Sequence, residues 1–325
     1  MEQQHTVGPL ELLARSGGRD LKAWLTEQYG NAPGDDLEYD GCLHEAAQAG
    51  DMETLQALVQ NESYRVHVHT KATWSRGFLP CTPLRVASTA GRSHCVRLLL
   101  AAGARVDDLD VKGQTALHVA VVNGWLECVR ILLCAGAAPD GSPHHNSSPL
   151  HHACREGRDD ILSELIRYGA EIDLAFSRSM PACLSSSPLY TSATYRHLSC
   201  FQKLLQAGAD PNQSGQSHAG TSERSHCLLV DTLRLGCHLP FQQLLVDFGA
   251  DLTLLPWDEL EEHDHQGKAM DDSVCYLRQV KANPRTLASL SRLTIRRALG
   301  RGRLSRIPCL NLPPPIHLFL LFESA

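Results

Sequence analysis

Short apolar runs alternate with polar turns from residue 42 to residue 250, and they recur at a fixed interval. The segments 82–87 (TPLRVA), 115–120 (TALHVA) and 148–153 (SPLHHA) start 33 residues apart. Each is followed by a leucine-rich run with helical spacing and then, twenty-one residues after its start, by a Gly-Ala pair. A Ser or Thr before an apolar run is typical of a helix start, and a glycine of a helix end. The pattern therefore predicts a series of helix pairs.

Weaker copies extend this series in both directions. One begins at Cys42 (CLHEAA), another at Ser187 (SPLY), and the last one ends at the Gly-Ala pair 249–250. A 33-residue period with a TPLHxA signature resembles the ankyrin repeat, which implies an all-α ankyrin-repeat solenoid of about six repeats. Extra residues around 66–80 and in the last two copies predict inserted loops, which usually lie on one face of such arrays.

A different pattern runs from Asn283 to Phe322. Asn283 and Pro284 predict the start of a helix, and Gly300 predicts its end. At about 100° per residue, one face of this helix is apolar; it contains Leu287, Leu290, Thr294 and Ala298, flanked by Leu293, Ile295 and Leu299. About forty residues with so much apolar surface cannot bury all of it internally, so we expect another chain to cover part of it.

These patterns divide the chain into four parts. Residues 1–35 are expected to form an N-terminal capping segment, 36–257 the ankyrin repeats, 258–282 an acidic linker, and 283–325 a C-terminal helical box. The linker is predicted because DELEEHDHQGKAMDD contains seven acidic residues and one lysine, a composition that favours solvent over a packed core.

Composition narrows the class of protein. The 325 residues are 43% hydrophobic and 20% charged, which is ordinary for a soluble protein. The formal net charge of −6 argues against nucleic acid as the main partner. Twelve cysteines without a CxxC pair suggest reduced, mostly buried thiols. Because the chain starts without a secretory pattern and has no apolar run of membrane-spanning length, we expect an intracellular protein, cytoplasmic or also nuclear, without a membrane partner.

Two clusters raise the question of further chemistry. SPHHNSSPLHHAC places His144, His145, His151, His152 and Cys154 close together, but His151 occupies the TPLH position, whose histidine is expected to bond the turns between repeats. We therefore expect no metal and no cofactor; an enzyme built on this cluster would need tightly bound metal. No nucleotide-binding or hydrolase motif is present in the sequence, so catalysis is not expected.

The arginine-rich run 285–306 allows two interpretations: a localisation or nucleic-acid patch, or the solvated face of the predicted helix. Its helical spacing beside the apolar face favours the solvated face.

An ankyrin array followed by PRTLxxLxRLxIRRALG and IxxLxLPxxIxxFLLFE resembles the ankyrin-repeat-and-SOCS-box family. In that family the first helix of the box docks into elongin C, and a Leu-Pro-Leu-Pro stretch selects cullin 5. The resemblance implies an elongin C set of Thr286, Leu287, Leu290, Ser291, Ile295 and Ala298. It implies a cullin set of Leu310, Asn311, Leu312 and Pro313. Two positions depart from the family pattern: Ser291 stands where the family has Cys, and Asn311 where it has the first Pro.

The resemblance implies the substrate-recognition subunit of a cullin–RING ubiquitin ligase, without catalysis of its own. The partners would be elongin B, elongin C, cullin 5 with a RING-box protein, and a target protein that the sequence does not identify. The alternative is an ankyrin scaffold whose box no longer recruits a ligase, which Ser291 and Asn311 would explain.

Loop tips and first-helix ends of the repeats provide the candidate target-binding residues. They are Phe78, Leu79, Lys112, Asn123, Trp125, His144, His145, Arg155, Glu156 and Tyr195. Trp125 has two interpretations, as an interface hot spot or as ordinary packing between helix pairs.

Overall fold

The computed structural model describes residues 41–72, 80–142, 147–174, 187–213, 227–257, 272–283, 285–304 and 306–322. Their helices are, in chain order, α1 (Cys42–Ala49), α2 (Met52–Gln60), α3 (Glu62–Arg65), α4 (Pro83–Thr89), α5 (Ser93–Ala101), α6 (Ala116–Asn123), α7 (Leu126–Cys134), α8 (Pro149–Glu156), α9 (Asp159–Arg167), α10 (Pro188–Thr194), α11 (Leu198–Ala207), α12 (Leu228–Arg234), α13 (Leu239–Asp247), α14 (Asp272–Ala282), α15 (Leu287–Leu299), α16 (Arg301–Leu304) and α17 (Pro314–Leu321). Short 3₁₀ turns occupy Val66–His69, Leu252–Leu254 and Ile307–Cys309.

The repeat signatures coincide with the ends of helices. The side chains of Thr82, Thr115 and Ser187 each accept a hydrogen bond from the backbone N–H three residues later, which satisfies a donor that the helix leaves free. At the other end of each repeat, the glycine of the Gly-Ala pair has a φ of +90° to +103°. Glycine adopts this left-handed conformation without the steric penalty that a Cβ brings. The signature residues thus fix where the helix pairs begin and end.

The described residues among 1–149 form one compact unit. Its first helices α1, α4 and α6 lie side by side, and so do its second helices α2, α5 and α7. The signature leucines Leu43, Leu84 and Leu117 are fully buried between them. His44 Nε2 lies 2.7 Å from the Cys81 carbonyl oxygen, so this TPLH histidine bonds the next repeat, as predicted.

The described residues among 150–325 form the second unit, which contains the last helix pairs and the C-terminal box. Helices α9, α11 and α13 pack in order, and α10 packs on α12. Phe201 on α11 and Phe241 on α13 meet edge to face, with ring centroids 5.1 Å apart. Leu189 and Leu204 are also fully buried in this unit.

The predicted linker is partly helical. Residues 272–282 form α14, which buries Leu277 and packs against α13. The Lys281 ammonium lies 4.0 Å from the centroid of the Trp257 ring. The acidic composition ends at the start of this helix, so the second part of the predicted linker is a packed element. Residues 258–271, the capping segment 1–35 and residues 73–79 of the inserted loop lie outside the described residues.

In the described part of the chain the fold is helical, and an isolated bridge between Ala72 and Cys81 is its sole β-type pairing. No described helix has the length and apolar character required to cross a membrane. Most described cysteines are buried and all are free. Burial raises the pKa of the Cys128 and Cys200 thiols to about 11, so these thiols stay protonated at neutral pH.

Candidate partner-docking site

Helix α15 is the core of the candidate site. It begins at Leu287 with Thr286 as its N-cap, whose side chain accepts from the Ser289 N–H. The start predicted at Asn283 and Pro284 is therefore wrong by about one turn, because a threonine farther along provides the side-chain cap. The predicted end at Gly300, which has a φ of +69°, is confirmed.

The elongin C set lies on one open face of α15. Leu287 is 80% exposed, Leu290 46% and Ile295 42%. Thr286, Ser291 and Ala298 are also exposed. The structure therefore brings the whole predicted set together on one exposed face of α15. Their contact with a partner stays a prediction.

Ser291, which replaces the cysteine of the family pattern, has a hydrogen-bond partner within its own helix. Its Oγ donates to the Leu287 carbonyl oxygen at 2.8 Å. A hydroxyl bonded in this way can be covered by a partner at less cost than an unpaired hydroxyl. Serine in place of the family's cysteine is therefore compatible with docking on this face.

The opposite face of α15 is packed against the repeats, and here the sequence-based prediction was wrong. Arg296, expected in solvent, is only 7% exposed. Its Nη2 donates to the carbonyl oxygens of Leu205 at 3.1 Å and Gln206 at 2.6 Å. Its Nη1 donates to the Leu320 carbonyl oxygen at 3.0 Å. These carbonyls lie at the C-terminal ends of α11 and α17, where the helix dipole favours a cation.

Aromatic rings surround this guanidinium. Phe248 and Phe322 are stacked with centroids 3.7 Å apart, and the Arg292 guanidinium lies 3.6 Å from the Phe322 centroid. We call Phe248, Arg292, Arg296 and Phe322 the arginine–phenylalanine cluster. Phe322 has a φ of +59°, an unfavourable conformation for a bulky residue. The cluster holds Phe322 in this conformation because its ring is stacked.

Burial has an electrostatic consequence in this cluster. Desolvation, and then the positive charge of Arg292, lower the pKa of Arg296 to about 10. Desolvation also lowers the pKa of Arg292, although Asp247 opposes this shift. Arg296 remains charged at neutral pH, so its burial depends on the three carbonyl acceptors.

The cullin set is divided between the surface and the interior. Leu310 is 40% exposed, and Asn311 and Pro313 are exposed. Leu312 is instead half-buried against the box core of Leu304, Ile307 and Leu320, and it is better described as a packing residue than as an open contact. His317 Nε2 lies 2.8 Å from the Leu310 carbonyl oxygen, and this contact ties the backbone at Leu310 to α17.

Sequence reasoning missed one exposed residue of the box. Ile316 on α17 is 43% exposed. Its place in the mostly apolar run IHLFLL gave no sign of exposure, because four of the five residues that follow it in this run are apolar leucines or phenylalanine.

The described target-binding residues are divided between the two units. In the first unit, Lys112 is exposed and Asn123 donates from Nδ2 to the Val119 carbonyl oxygen. Trp125 is 43% exposed, but its Nε1 donates to the Thr89 carbonyl oxygen at 3.0 Å. A Cβ at Gly91 would lie 2.5 Å from the Trp125 ring. The ring therefore packs closely on the previous repeat, which is the packing role considered above.

In the second unit, Arg155 and Glu156 form an exposed ion pair at 3.0 Å. Tyr195 is 51% exposed. Phe78, Leu79, His144 and His145 lie outside the described residues. A target-binding role for all of these residues stays a prediction.

Two glycines allow the packing of the box to be tested. Gly208 and Gly169 both end a repeat with positive φ, but a Cβ at Gly208 would lie 2.8 Å from Leu304 Cδ1, whereas a Cβ at Gly169 would meet nothing within 4 Å. We expect Gly169→Ala to cost about 1–2 kcal/mol through backbone strain. Gly208→Ala should cost about 1–3 kcal/mol more, because Leu304 is buried and must move. Urea denaturation of both variants measures the difference, and equal midpoints would contradict this packing.

Comparison with known proteins identifies both parts of the chain. Family models for ankyrin repeats match residues 43–142 and 139–214, and the SOCS box model matches residues 283–321. Mouse ankyrin repeat and SOCS box protein 1 is 48% identical over 94% of this chain and 95% of its own length. The human protein of the same name is also 48% identical, over 95% and 96%.

A solved structure shows the same fold. The structure is similar to the crystal structure of the human ASB11 ankyrin repeat domain, with a TM-score of 0.52 and 26% identity, covering 75% of this chain and 99% of that one. This likeness confirms the ankyrin-repeat fold. From its repeats, its C-terminal box and its similarity over nearly its whole length, the chain belongs to the ankyrin repeat and SOCS box family.

Proposed function

We propose that the chain is the substrate-recognition subunit of an elongin–cullin–RING ubiquitin ligase. In this role the ankyrin repeats bind a target protein, and the SOCS box binds elongins B and C and cullin 5 with its RING-box subunit. One observation carries the proposal: the first box helix presents an open apolar face centred on Leu287 while its other face is packed on the repeats.

The open face suits the docking of a helix into a groove. Burying a leucine side chain contributes about 1.5–3 kcal/mol, and Leu287 has most of its surface still to bury. Leu290 and Ile295 add to the same face at helical spacing, as expected of an amphipathic helix that enters an apolar groove. Since Ser291 is bonded to its own helix, the face offers no unpaired polar group at that position.

The mechanism is proximity. The ubiquitin thioester is carried by another subunit, and the chain contributes binding and orientation. Holding a target lysine near the thioester raises its effective concentration and turns an encounter in solution into a reaction within one complex. The modified target would then be degraded by the proteasome. This role places the chain in the cytoplasm or the nucleus.

Reconstitution tests the proposal. We expect the full chain, co-expressed with elongins B and C, to elute with them as one stoichiometric complex in size-exclusion chromatography. Adding cullin 5 with its RING-box subunit should shift this complex to a larger size. A chain that elutes free of the elongins at micromolar concentration would contradict the proposal.

The second candidate is an ankyrin scaffold without ligase activity. Asn311 favours it, because an exposed asparagine replaces a proline that would hold the backbone extended. The same chromatography distinguishes the two: a chain that binds its target but neither the elongins nor cullin 5 is a scaffold.

A further inference from the structure

The turn between α10 and α11 contains a residue that its backbone conformation disfavours. Arg196 has a φ of +60°. At the corresponding turns, just before the second helix of the other described repeats, the positive φ belongs to a glycine: Gly50, Gly91, Gly124, Gly157 and Gly236. A residue with a side chain and a positive φ pays a conformational free energy that glycine avoids. Such a cost is often found where the side chain has a function.

The Arg196 side chain reaches toward the next repeat. Its Nη2 donates to the Leu235 carbonyl oxygen at 3.2 Å, and the residue is exposed. A guanidinium carries five N–H donors in a planar fork. Because Nη2 is already hydrogen-bonded and the residue is exposed, the guanidinium is oriented to donate to a further acceptor in solvent.

Neighbouring turns supply more positive charge and an aromatic ring. Tyr195 is 51% exposed beside Arg196. Arg234, on the next repeat, is exposed one residue before the carbonyl that Arg196 contacts. On the previous repeat, His197 Nε2 lies 3.0 Å from the Arg155 carbonyl oxygen, which places Arg155 next to this turn.

The balance of charge on this surface is positive. Glu156 is paired with Arg155, and Asp231 on α12 is half-buried. Arg196 and Arg234 then remain as exposed cations on a chain whose formal net charge is −6. A positive surface on an acidic protein selects acidic partners locally, because the rest of the molecule repels them.

We propose that Tyr195, Arg196 and Arg234, here named the repeat-five surface, bind an acidic segment of the target protein. Arginine forks bind carboxylates through two parallel hydrogen bonds, and tyrosine is enriched at binding hot spots. The inference rests on the proposed function, since it describes the chemistry of the target that this ligase subunit would recruit.

Fluorescence polarisation with three labelled peptides tests this surface on the full chain. The first peptide is acidic and alternates Glu and Asp around a central Phe. The second has the same length, with Gln and Asn in place of the acidic residues, and the third has Lys and Arg in their place. We expect only the acidic peptide to bind. Arg196→Gly should lower its affinity about tenfold, the loss of one strong contact. The urea midpoint should stay unchanged or rise, because glycine relieves the strained backbone.

Arg303→Ala is the matched control, since it removes an exposed arginine of the box. The proposal is overturned if the acidic peptide does not bind, if the neutral peptide binds equally well, or if Arg303→Ala weakens binding as much as Arg196→Gly. The measurement needs neither elongin nor cullin. If the chain fails to bind the elongins, the ligase role is rejected, but the proposal that the repeat-five surface binds an acidic segment is still tested separately by the peptides.

Discussion

Replacing Leu287 by aspartate is expected to abolish the binding of elongins B and C. The side chain is 80% exposed, so the free chain loses no packing and its urea midpoint should stay the same. In the complex, the variant loses about 1.5–3 kcal/mol of leucine burial. It also places a carboxylate in an apolar groove, which costs several kcal/mol when no partner charge is present. Since 1.4 kcal/mol is a factor of ten in affinity, we expect a loss of more than about a hundredfold.

Isothermal titration calorimetry of the full chain with the elongin B–C pair measures this loss. Leu310→Asp is the matched control, because it introduces the same charge at another exposed leucine of the box. It should leave elongin affinity unchanged and weaken the later binding of cullin 5. If Leu287→Asp binds the elongins as tightly as the unchanged chain, α15 does not dock through its open face.

The parts of the structure that follow from local rules could be predicted from the sequence. Thr82, Thr115 and Ser187 start helices because a side-chain oxygen satisfies a neighbouring N–H. The open face of α15 was also predictable, since residues three and four apart must share a side of a helix. These signals depend on residues close in sequence.

The buried face of α15 could not be predicted in this way. An arginine beside an apolar stripe is usually solvated, and the helical spacing therefore predicted an exposed Arg296. The acceptors that bury it belong to Leu205 and Gln206, on a helix far back in the chain, and they are backbone carbonyls. Backbone acceptors have no sequence signature. The close packing of Leu304 on Gly208 could not be predicted either, because the two residues belong to distant segments that no repeat pattern relates.

Arg296→Met is expected to loosen the box from the repeats. The variant keeps most of the side-chain volume but leaves the carbonyls of Leu205, Gln206 and Leu320 without their donor. A buried acceptor without a partner costs about 1–3 kcal/mol, and the loss of the favourable charge at two helix ends adds about 0.3–1 kcal/mol for each. Removing the guanidinium also removes its desolvation penalty, which offsets part of this cost. We expect a net destabilisation of about 2–4 kcal/mol.

Hydrogen–deuterium exchange locates the effect of Arg296→Met, because amides protected only by box docking should exchange faster. We expect this in residues 287–322 and at the C-terminal end of α11, and no change in residues 41–142. Arg297→Met is the matched control, an adjacent but exposed arginine, and it should exchange like the unchanged chain. Equal exchange in the two variants would show that Arg296 does not hold the box. If Arg296 does hold the box, it also serves the proposed function. A loose box would hold a bound target at many different distances from the thioester, which lowers the effective concentration of the target lysine.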